Sequence, residues 1–325
     1  MGYGDYSSEA HEALLRSRQN LPAQKVFSQQ QCHALMNPKG VRARESRDSA
    51  THPNTVSIAF ALDVTGSMGN IPKLLAKEKL PKFMKIITSC GIPDPQLLFL
   101  AVGDATSDQA PLQVGQFEST AELMDQWLTW SYLEGNGGGQ NHESYELALY
   151  FLAEHTSMDG WLKRKRKGYL FMTGDELPYP AVSKHQVEAL IGDKLDEDIP
   201  LAEVVSAVSE TFHPFFLIPD LARRQNCEAR WREVLGDYVV AMEDPVDTCY
   251  VAAGALALTE KAVKDIDALA KVFETAGIPK DRIAPTIRAL TPYAAILDRD
   301  GNPKPAVDPA KGTSGQPSFW KRLLG

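Results

Sequence analysis

The chain has 325 residues, of which 43% are hydrophobic, and a formal net charge of −8 at neutral pH. This apolar content suffices for a large core, and the acidic balance argues against nucleic acid or an anionic membrane as a partner. No apolar run approaches the roughly 20 residues that a membrane-spanning helix needs. The first residues lack the pattern of a signal peptide and the four cysteines form no CxxC pair, so we expect reduced thiols and a cytoplasmic location.

Residues 1–54 form a polar and irregular segment, except for a short helical pattern at Ser8–Arg18. We therefore predict an N-terminal arm that packs on the main domain or on a partner. The arm is followed by a continuous run of β-forming apolar residues from Val56 to Leu62. Such a run predicts a strand that is buried on both faces, as in a parallel sheet.

Between residues 55 and 258 the predicted strands alternate with predicted helices, which is the pattern of a parallel sheet covered by helices. Strands are predicted at 56–62, 96–102, 112–117, 168–173, 214–218 and 238–242. Helices are predicted at 71–90, 143–155, 201–212, 227–235 and 260–276. A capping box at 119–122 opens a further helix that runs to about Trp130, and the predicted helix caps are Ser119, Ser183 and Thr259. The expected fold is α/β, with a doubly wound, mostly parallel six-stranded sheet flanked by helices, plus N- and C-terminal extensions.

The C-terminal part of the chain is predicted to consist of a helical extension over 259–296 and a flexible tail over 297–325. Proline, glycine and charged residues dominate the start of this tail, which favours flexibility. Its end is amphipathic, with apolar side chains at Phe319, Trp320 and Leu323. These three side chains either fold back on their own domain or dock on another protein, and both alternatives stay open.

Oxygen-bearing side chains follow the first predicted strand at alternate positions, namely Asp63, Thr65 and Ser67. A loop that curls over the strand end brings such oxygens together, and carboxylate and hydroxyl oxygens suit Mg²⁺ or Mn²⁺. Ligands of doubly wound sheets bind at the carboxyl ends of strands, beside the switch in strand order. Two more loops could meet there: the glycine-rich segment 135–143, and the turn containing Asp175 after strand 168–173.

The three loops together resemble the metal-ion-dependent adhesion site of the von Willebrand factor type A (VWA) domain. Asp63, Thr65 and Ser67 match the family motif DxSxS, with threonine in place of the first serine, and Asp175 matches the aspartate after a later strand. The resemblance extends over residues 55–258 and implies a Rossmann-like VWA fold.

The glycine-rich loop departs from the family, because it offers Gln140 or Asn141 where threonine or aspartate is expected. Gln140 is the first choice, since the loop is similar to the GGGDxPE form of some family members. The resemblance thus implies Mg²⁺, or Mn²⁺, held by Asp63, Thr65, Ser67, Gln140 and Asp175. The residues expected to support this site or to face a partner are Asp104, Asn141, Glu143 and Glu176.

In VWA domains one coordination position of the ion is left for an Asp or Glu carboxylate from a protein partner. The resemblance to bacterial intracellular members therefore implies a metal-dependent protein–protein interaction module, an adaptor or scaffold, and not an enzyme. Family habit suggests an AAA+ ATPase of the MoxR class as partner, or a place in a stress or defence assembly.

Two alternatives remain. The segment from Asp63 to Ser67 also resembles the DKTGT loop of haloacid-dehalogenase-class enzymes, in which Asp63 would be the nucleophile of a Mg²⁺-dependent phosphatase or phosphotransferase. Against it, Val64 replaces the lysine of that loop, and the GDATSD segment at 103–108 precedes the TGD segment instead of following it. The second alternative is a purely structural subunit with a vestigial metal site, where Asp63 and Asp175 only cap strand ends.

Overall fold

A computed structural model of the protein describes residues 4–66, 68, 70–134 and 141–307. Its centre is a six-stranded sheet, built from β1 (Val56–Asp63), β2 (Pro95–Val102), β3 (Leu112–Val114), β4 (Gly168–Thr173), β5 (Phe212–Ile218) and β6 (Val239–Ala241). The strand order is β6-β5-β4-β1-β2-β3, and only β3 runs antiparallel to its neighbour. The predicted α/β fold with a mostly parallel, six-stranded sheet is confirmed.

The continuous apolar run of β1 places this strand at the centre of the sheet, where all eight of its residues are buried. Phe60 pairs in register with Phe99 of β2 and with Phe171 of β4. The three rings form a row across the sheet, with centroids 5.8 Å and 5.5 Å from that of Phe60. The chain passes from β1 to β2 and β3 on one side and then returns to β4 on the other. The switch in strand order therefore lies at the carboxyl ends of β1 and β4.

Helices flank the sheet: α1 (Ser8–Arg18), α2 (Ala23–Val26), α3 (Asn70–Leu74), α4 (Leu80–Ser89), α5 (Ala121–Thr129), α6 (Tyr145–Glu154), α7 (Asp159–Arg164), α8 (Lys184–Leu190), α9 (Leu201–Thr211), α10 (Leu221–Leu235), α11 (Thr248–Thr259), α12 (Ile266–Thr275) and α13 (Lys280–Asp300). A π-helical turn, Leu75–Lys79, joins α3 to α4. Given the strand order, the right-handed crossover rule assigns α4 to one face of the sheet and α6, α9 and α10 to the other. The buried helix α11 packs beside α4, and α6 packs beside α9.

The last part of the chain differs from the prediction in its helix boundaries. The predicted helix at 260–276 is wrong at its start, because Thr259 ends α11 and Asp265 caps α12 by accepting the Ala268 N–H. Helix α11 itself was not predicted. It is buried from Thr248 to Leu258 and therefore apolar all round, so its sequence lacks the periodicity that marks an amphipathic helix.

Two predicted caps also differ in detail. Helix α5 is capped by Thr120, whose hydroxyl accepts the Leu123 N–H, whereas the Ser119 hydroxyl donates to the Gly4 carbonyl. Ser183 occupies the cap position of α8, but its side chain makes no capping hydrogen bond. Helix α10 is longer than predicted, because it begins at Leu221, with two residues between it and the end of β5, and Asp220 accepts the Arg223 N–H at its start.

The N-terminal segment packs on the body through α1, which contacts α4, α5 and the π turn. Arg18 of α1 forms a two-pronged ion pair with the buried Asp125 of α5. Further along, residues Arg44–Ser46 pair in parallel with Thr156–Met158. Within the described residues, no helix has the length and apolar content required to cross a membrane.

Candidate functional site at the carboxyl ends of the strands

Three buried carboxylates follow three adjacent strands of the sheet. Asp63 is the last residue of β1, Asp104 comes two residues after β2, and Asp175 comes two residues after β4. Because parallel strands end at the same edge of a sheet, their position in the sequence brings these acids to one edge. The structure thus places two predicted metal ligands, Asp63 and Asp175, at the switch in strand order, and the predicted supporting residue Asp104 at the end of the neighbouring strand β2.

Asp63 is wholly buried and hydrogen-bonded on both carboxylate oxygens. Its Oδ1 accepts the N–H of Thr65 at 2.9 Å and the Thr65 hydroxyl at 2.5 Å, and its Oδ2 accepts the hydroxyl of Tyr145 at 2.6 Å. All three donors are neutral groups. Burial raises the pKa of Asp63 to about 7 against the opposing effect of these hydrogen bonds, and the nearby charge of Asp175 raises it further.

Tyr145 is a member of the site that sequence reasoning missed. It is the first residue of α6, and its ring packs edge-on against Phe216 and Trp231, each with a centroid separation of 5.5 Å. A Cβ at Gly174 would lie 2.2 Å from the Tyr145 hydroxyl, so only glycine fits between the end of β4 and this ring. The hydroxyl therefore joins α6 to the end of the central strand.

Asp175 pairs with Arg223 of α10, whose Nη1 lies 2.8 Å from the Asp175 Oδ2. The same guanidinium contacts the Asp220 carboxylate at 3.1 Å and the Met68 sulfur at 3.3 Å. Arg223 thus reaches from α10 to the loop after β1 and brings a positive charge to the predicted site. Sequence reasoning missed Arg223 as well, because no motif connects it with Asp175.

Asp104 organises the turn that follows β2. It accepts the Thr106 N–H at 2.9 Å, the Thr106 hydroxyl at 2.6 Å and the Tyr179 hydroxyl at 3.0 Å. Its own N–H donates to Asp108 at 2.7 Å. The hydrogen bonds of the Asp104 carboxylate therefore stabilise the turn after β2 and the contact of this turn with the segment after β4.

Glu143 is a further buried acid, and the charges of several other carboxylates act on it. It lies in a short parallel strand pair, where it is in register with Pro178. Burial, and then the charges of Asp63, Asp108 and Asp104, raise the pKa of Glu143 to about 9. One turn further along the chain, the wholly buried Glu146 has its pKa raised to about 8, again chiefly by burial. The edge of the sheet therefore concentrates acidic groups whose charges repel one another.

Two other predicted residues lie beside this site. Asn141 is exposed, and its backbone carbonyl accepts the Leu177 N–H at 3.0 Å. The carbonyl of Glu176 accepts the Trp231 indole N–H at 3.0 Å, and burial followed by the charge of Asp175 raises the pKa of the Glu176 carboxyl. The remaining predicted residues lie outside the described part of the chain: Ser67, Gln140, Phe319, Trp320 and Leu323.

The donor atoms of the described site are oxygens, namely the Asp63 and Asp175 carboxylates and the Thr65 hydroxyl. This chemistry fits a hard divalent ion such as Mg²⁺ or Mn²⁺ and does not fit a soft metal. A group of three or more His, Cys, Asp or Glu side chains arranged to hold a metal is not found among the described residues. An ion here would therefore need hydroxyl or amide ligands in addition to the two carboxylates.

No protein-family model matches the chain, and no curated protein matches its sequence. Its solved structural neighbours include the open form of the pilus adhesin SpaC from Lactobacillus rhamnosus GG, with a TM-score of 0.42 and 11% identity over 70% of this chain and 31% of that one. They also include proximal thread matrix protein 1 from the mussel byssus, with a TM-score of 0.38 and 11% identity over 69% and 51%. The chain thus spans about a third and a half of these two structures. Likeness at this level carries no argument about function.

Proposed function

We propose that the chain is a divalent-cation-dependent protein-interaction module of the VWA type, an adaptor or scaffold and not an enzyme. One observation carries this proposal: the wholly buried Asp63 carboxylate accepts hydrogen bonds from three neutral donors of the described residues, and the acid of Asp175 is close enough to raise its pKa. A buried carboxylate without a counter-charge is costly. A bound cation would remove that cost and favour the charged form of both acids.

The residues that would hold the ion are Asp63, Thr65 and Asp175, together with Ser67 and Gln140 from the two loops. When bound, the ion supplies an electrophilic centre to which an Asp or Glu carboxylate of a protein partner is attracted. The VWA resemblance is the support for such a partner, for an AAA+ ATPase of the MoxR class and for a stress or defence assembly. All four cysteines are unpaired, which supports a reducing compartment such as the cytoplasm.

A second candidate, the structural subunit with a vestigial site, is favoured by the Arg223–Asp175 ion pair of 2.8 Å. In that case the guanidinium supplies the positive charge that an ion would otherwise bring, and the cluster fastens α10 to the ends of β1 and β4. The aspartyl-phosphatase alternative has less support, because both oxygens of the would-be nucleophile Asp63 already accept hydrogen bonds.

Calorimetric titration of the full chain with Mg²⁺ and with Mn²⁺ tests the proposal. We expect saturable uptake of one ion, with Asp63→Asn lowering the affinity at least about tenfold because a direct anionic ligand is lost. Asp94→Asn is the matched control, since Asp94 precedes β2 at the opposite edge of the sheet and accepts the Asn54 N–H.

The proposal fails if the native chain takes up no ion or if Asp63→Asn and Asp94→Asn bind it equally well. Stable folding of Asp63→Asn without any effect on ion uptake would favour the structural subunit. Hydrolysis of p-nitrophenyl phosphate that Mg²⁺ supports and Asp63→Asn abolishes would instead favour the phosphatase.

A further inference from the structure

A cavity of about 470 Å³ lies between α1, the π turn with the start of α4, and the loop that precedes α13. This volume is within the range of small-molecule sites, about 300–1,000 Å³. Its walls include none of the residues assigned above to the candidate metal site. The N-terminal arm forms one wall through Leu15 and Arg16 of α1.

The opposite wall owes its shape to Pro81. Proline has no N–H to donate, and its ring crowds the carbonyl four residues earlier, here that of Lys77. The helix responds by widening: the Leu80 N–H donates to the Leu75 carbonyl, five residues back instead of four. In an α-helix, three consecutive side chains point in directions that span about 200° around the helix axis, so they do not share one face. In the π turn, the consecutive residues 77–79 all border the cavity.

The lysines of this wall have more N–H donors than the hydrogen bonds and ion pairs of the described residues use. Lys77 donates to the Leu21 carbonyl at 2.7 Å, and Lys79 lies 3.2 Å from Glu78 and 3.5 Å from the Tyr250 hydroxyl. Lys82 makes no ion pair or side-chain hydrogen bond within the described part of the chain. An ammonium group has three donors and accepts none, so the remaining N–H groups require water or an anion.

The cavity also carries a surplus of positive charge in an acidic protein. Four cations line it, Arg16, Lys77, Lys79 and Lys82, against the two carboxylates of Glu12 and Glu78. Both acids are more than 60% exposed, and so is Arg16. Lys77 and Lys82 are half-buried, and Lys79 is 12% exposed and lies over the Tyr250 ring, 5.5 Å from its centroid. Buried positive charge therefore outweighs buried negative charge at this wall.

We propose that this cavity binds a small organic phosphate. The phosphate group would lie against Lys77, Lys79 and Lys82, because lysine binds phosphate as a compact point charge. The cavity is larger than a phosphate ion requires, and the rest of the ligand packs against the Tyr250 ring and Leu15. Since α1 supplies one wall, the ligand fastens the N-terminal arm to the body.

Calorimetry in EDTA tests this site with the full chain, using inorganic phosphate, AMP, ATP and citrate as probes. We expect AMP or ATP to bind with a submillimolar Kd, and inorganic phosphate and citrate at least about fivefold more weakly. Lys82→Gln should weaken AMP or ATP binding about fivefold or more. Lys85→Gln is the matched control, because Lys85 is exposed on the same helix and does not line the cavity.

Hydrogen exchange of Ser8–Arg18 shows where the probe binds. AMP or ATP should slow exchange in α1 of the native chain and of Asp63→Asn. In Lys82→Gln the same slowing should require a probe concentration about fivefold higher or more. The proposal is overturned if neither nucleotide binds saturably, if citrate binds as tightly, if Lys85→Gln matches Lys82→Gln, or if α1 exchange is unchanged. Because EDTA removes divalent ions, a chain that binds no nucleotide in this experiment could still bind Mg²⁺ and act as a metal-dependent module. Likewise, a chain that binds no Mg²⁺ could still bind a nucleotide in the cavity.

Discussion

Asp63 is an acid excluded from solvent, and both of its carboxylate oxygens accept hydrogen bonds from neutral groups. Thr65 comes from the same loop, so two of the three hydrogen bonds are local consequences of the sequence. The third comes from Tyr145, which is 82 residues away in the chain. The orientation of the carboxyl group therefore depends on how α6 docks beside β1.

Replacing Tyr145 with phenylalanine should both destabilise the fold and weaken ion binding. A hydrogen bond to a charged group contributes about 1.5–3 kcal/mol to the free energy of unfolding. Removal of a group that orients a metal ligand typically lowers metal affinity about 10- to 100-fold. Urea unfolding and Mg²⁺ calorimetry on Tyr145→Phe measure the two effects.

Tyr150→Phe is the control for this experiment, because the Tyr150 hydroxyl donates to the Asp193 carboxylate at 2.8 Å, away from the site. It should lower stability without changing Mg²⁺ affinity. Equal Mg²⁺ affinities in Tyr145→Phe and the native chain would show that Tyr145 does not orient a metal ligand.

A site residue could be predicted from the sequence when its contacts are made by residues close to it in the chain, and could not when they are made by distant ones. Asp63, Thr65, Asp104 and Asp175 were accessible from the sequence because each follows a strand whose apolar run marks its end. Tyr145 and Arg223 were not, since each reaches its carboxylate only after a helix has docked on the sheet. A tyrosine at the start of a helix, after a glycine-rich loop, is only a weak sign of a site residue. The packing of Gly174 against the Tyr145 hydroxyl cannot be recognised from the sequence.

At the scale of elements, the same distinction holds for the fold. The six strands and α1 were predicted because their patterns are strong within a few residues. Helix α11 was missed because complete burial removes its periodicity. The π turn depends on Pro81, which lies in the middle of an otherwise continuous helix. It could not be predicted, because a proline within a helix can cause either a break or a bulge.

Helix α1 gives the element-scale prediction, because its buried residue His11 titrates abnormally. Burial, and then the charge of Arg18, lower the pKa of His11 to about 4 from an ordinary value of 6.5. The folded state therefore favours neutral histidine, and the unfolded state takes up the proton first as the pH falls. The stabilising effect is complete above pH 6.5 and is lost towards pH 4, by roughly 3 kcal/mol at most.

Urea unfolding between pH 7 and pH 4 measures this loss. His11→Asn keeps an acceptor for the Tyr6 hydroxyl, which lies 2.9 Å from the His11 Nδ1, and should give a shallower fall in unfolding free energy than the native chain. His185→Asn, at an exposed position of α8, should follow the native slope. Identical slopes in the native chain and His11→Asn would contradict the assignment. His213, whose pKa burial lowers to about 3, adds a contribution of the same sign to all three proteins.

For the whole molecule, charge is divided between two regions. Asp63, Asp104, Glu143 and Asp175 concentrate acidic side chains at the carboxyl edge of the sheet, and the cavity beside α1 carries a surplus of lysines. The net charge of −8 conceals this separation. A protein arranged in this way would bind a cation at one place and an anion at the other, and the N-terminal arm borders the proposed anion site.

The most direct measurement for the central claim is anomalous X-ray scattering from crystals of the native chain grown with Mn²⁺ in place of Mg²⁺. We predict one strong anomalous peak within about 2.5 Å of oxygens from Asp63, Thr65 or Asp175, the range expected for a hard ion and its oxygen ligands. The result would contradict the account if, at saturating Mn²⁺, no such peak lies at this edge of the sheet and Arg223 is still paired to Asp175.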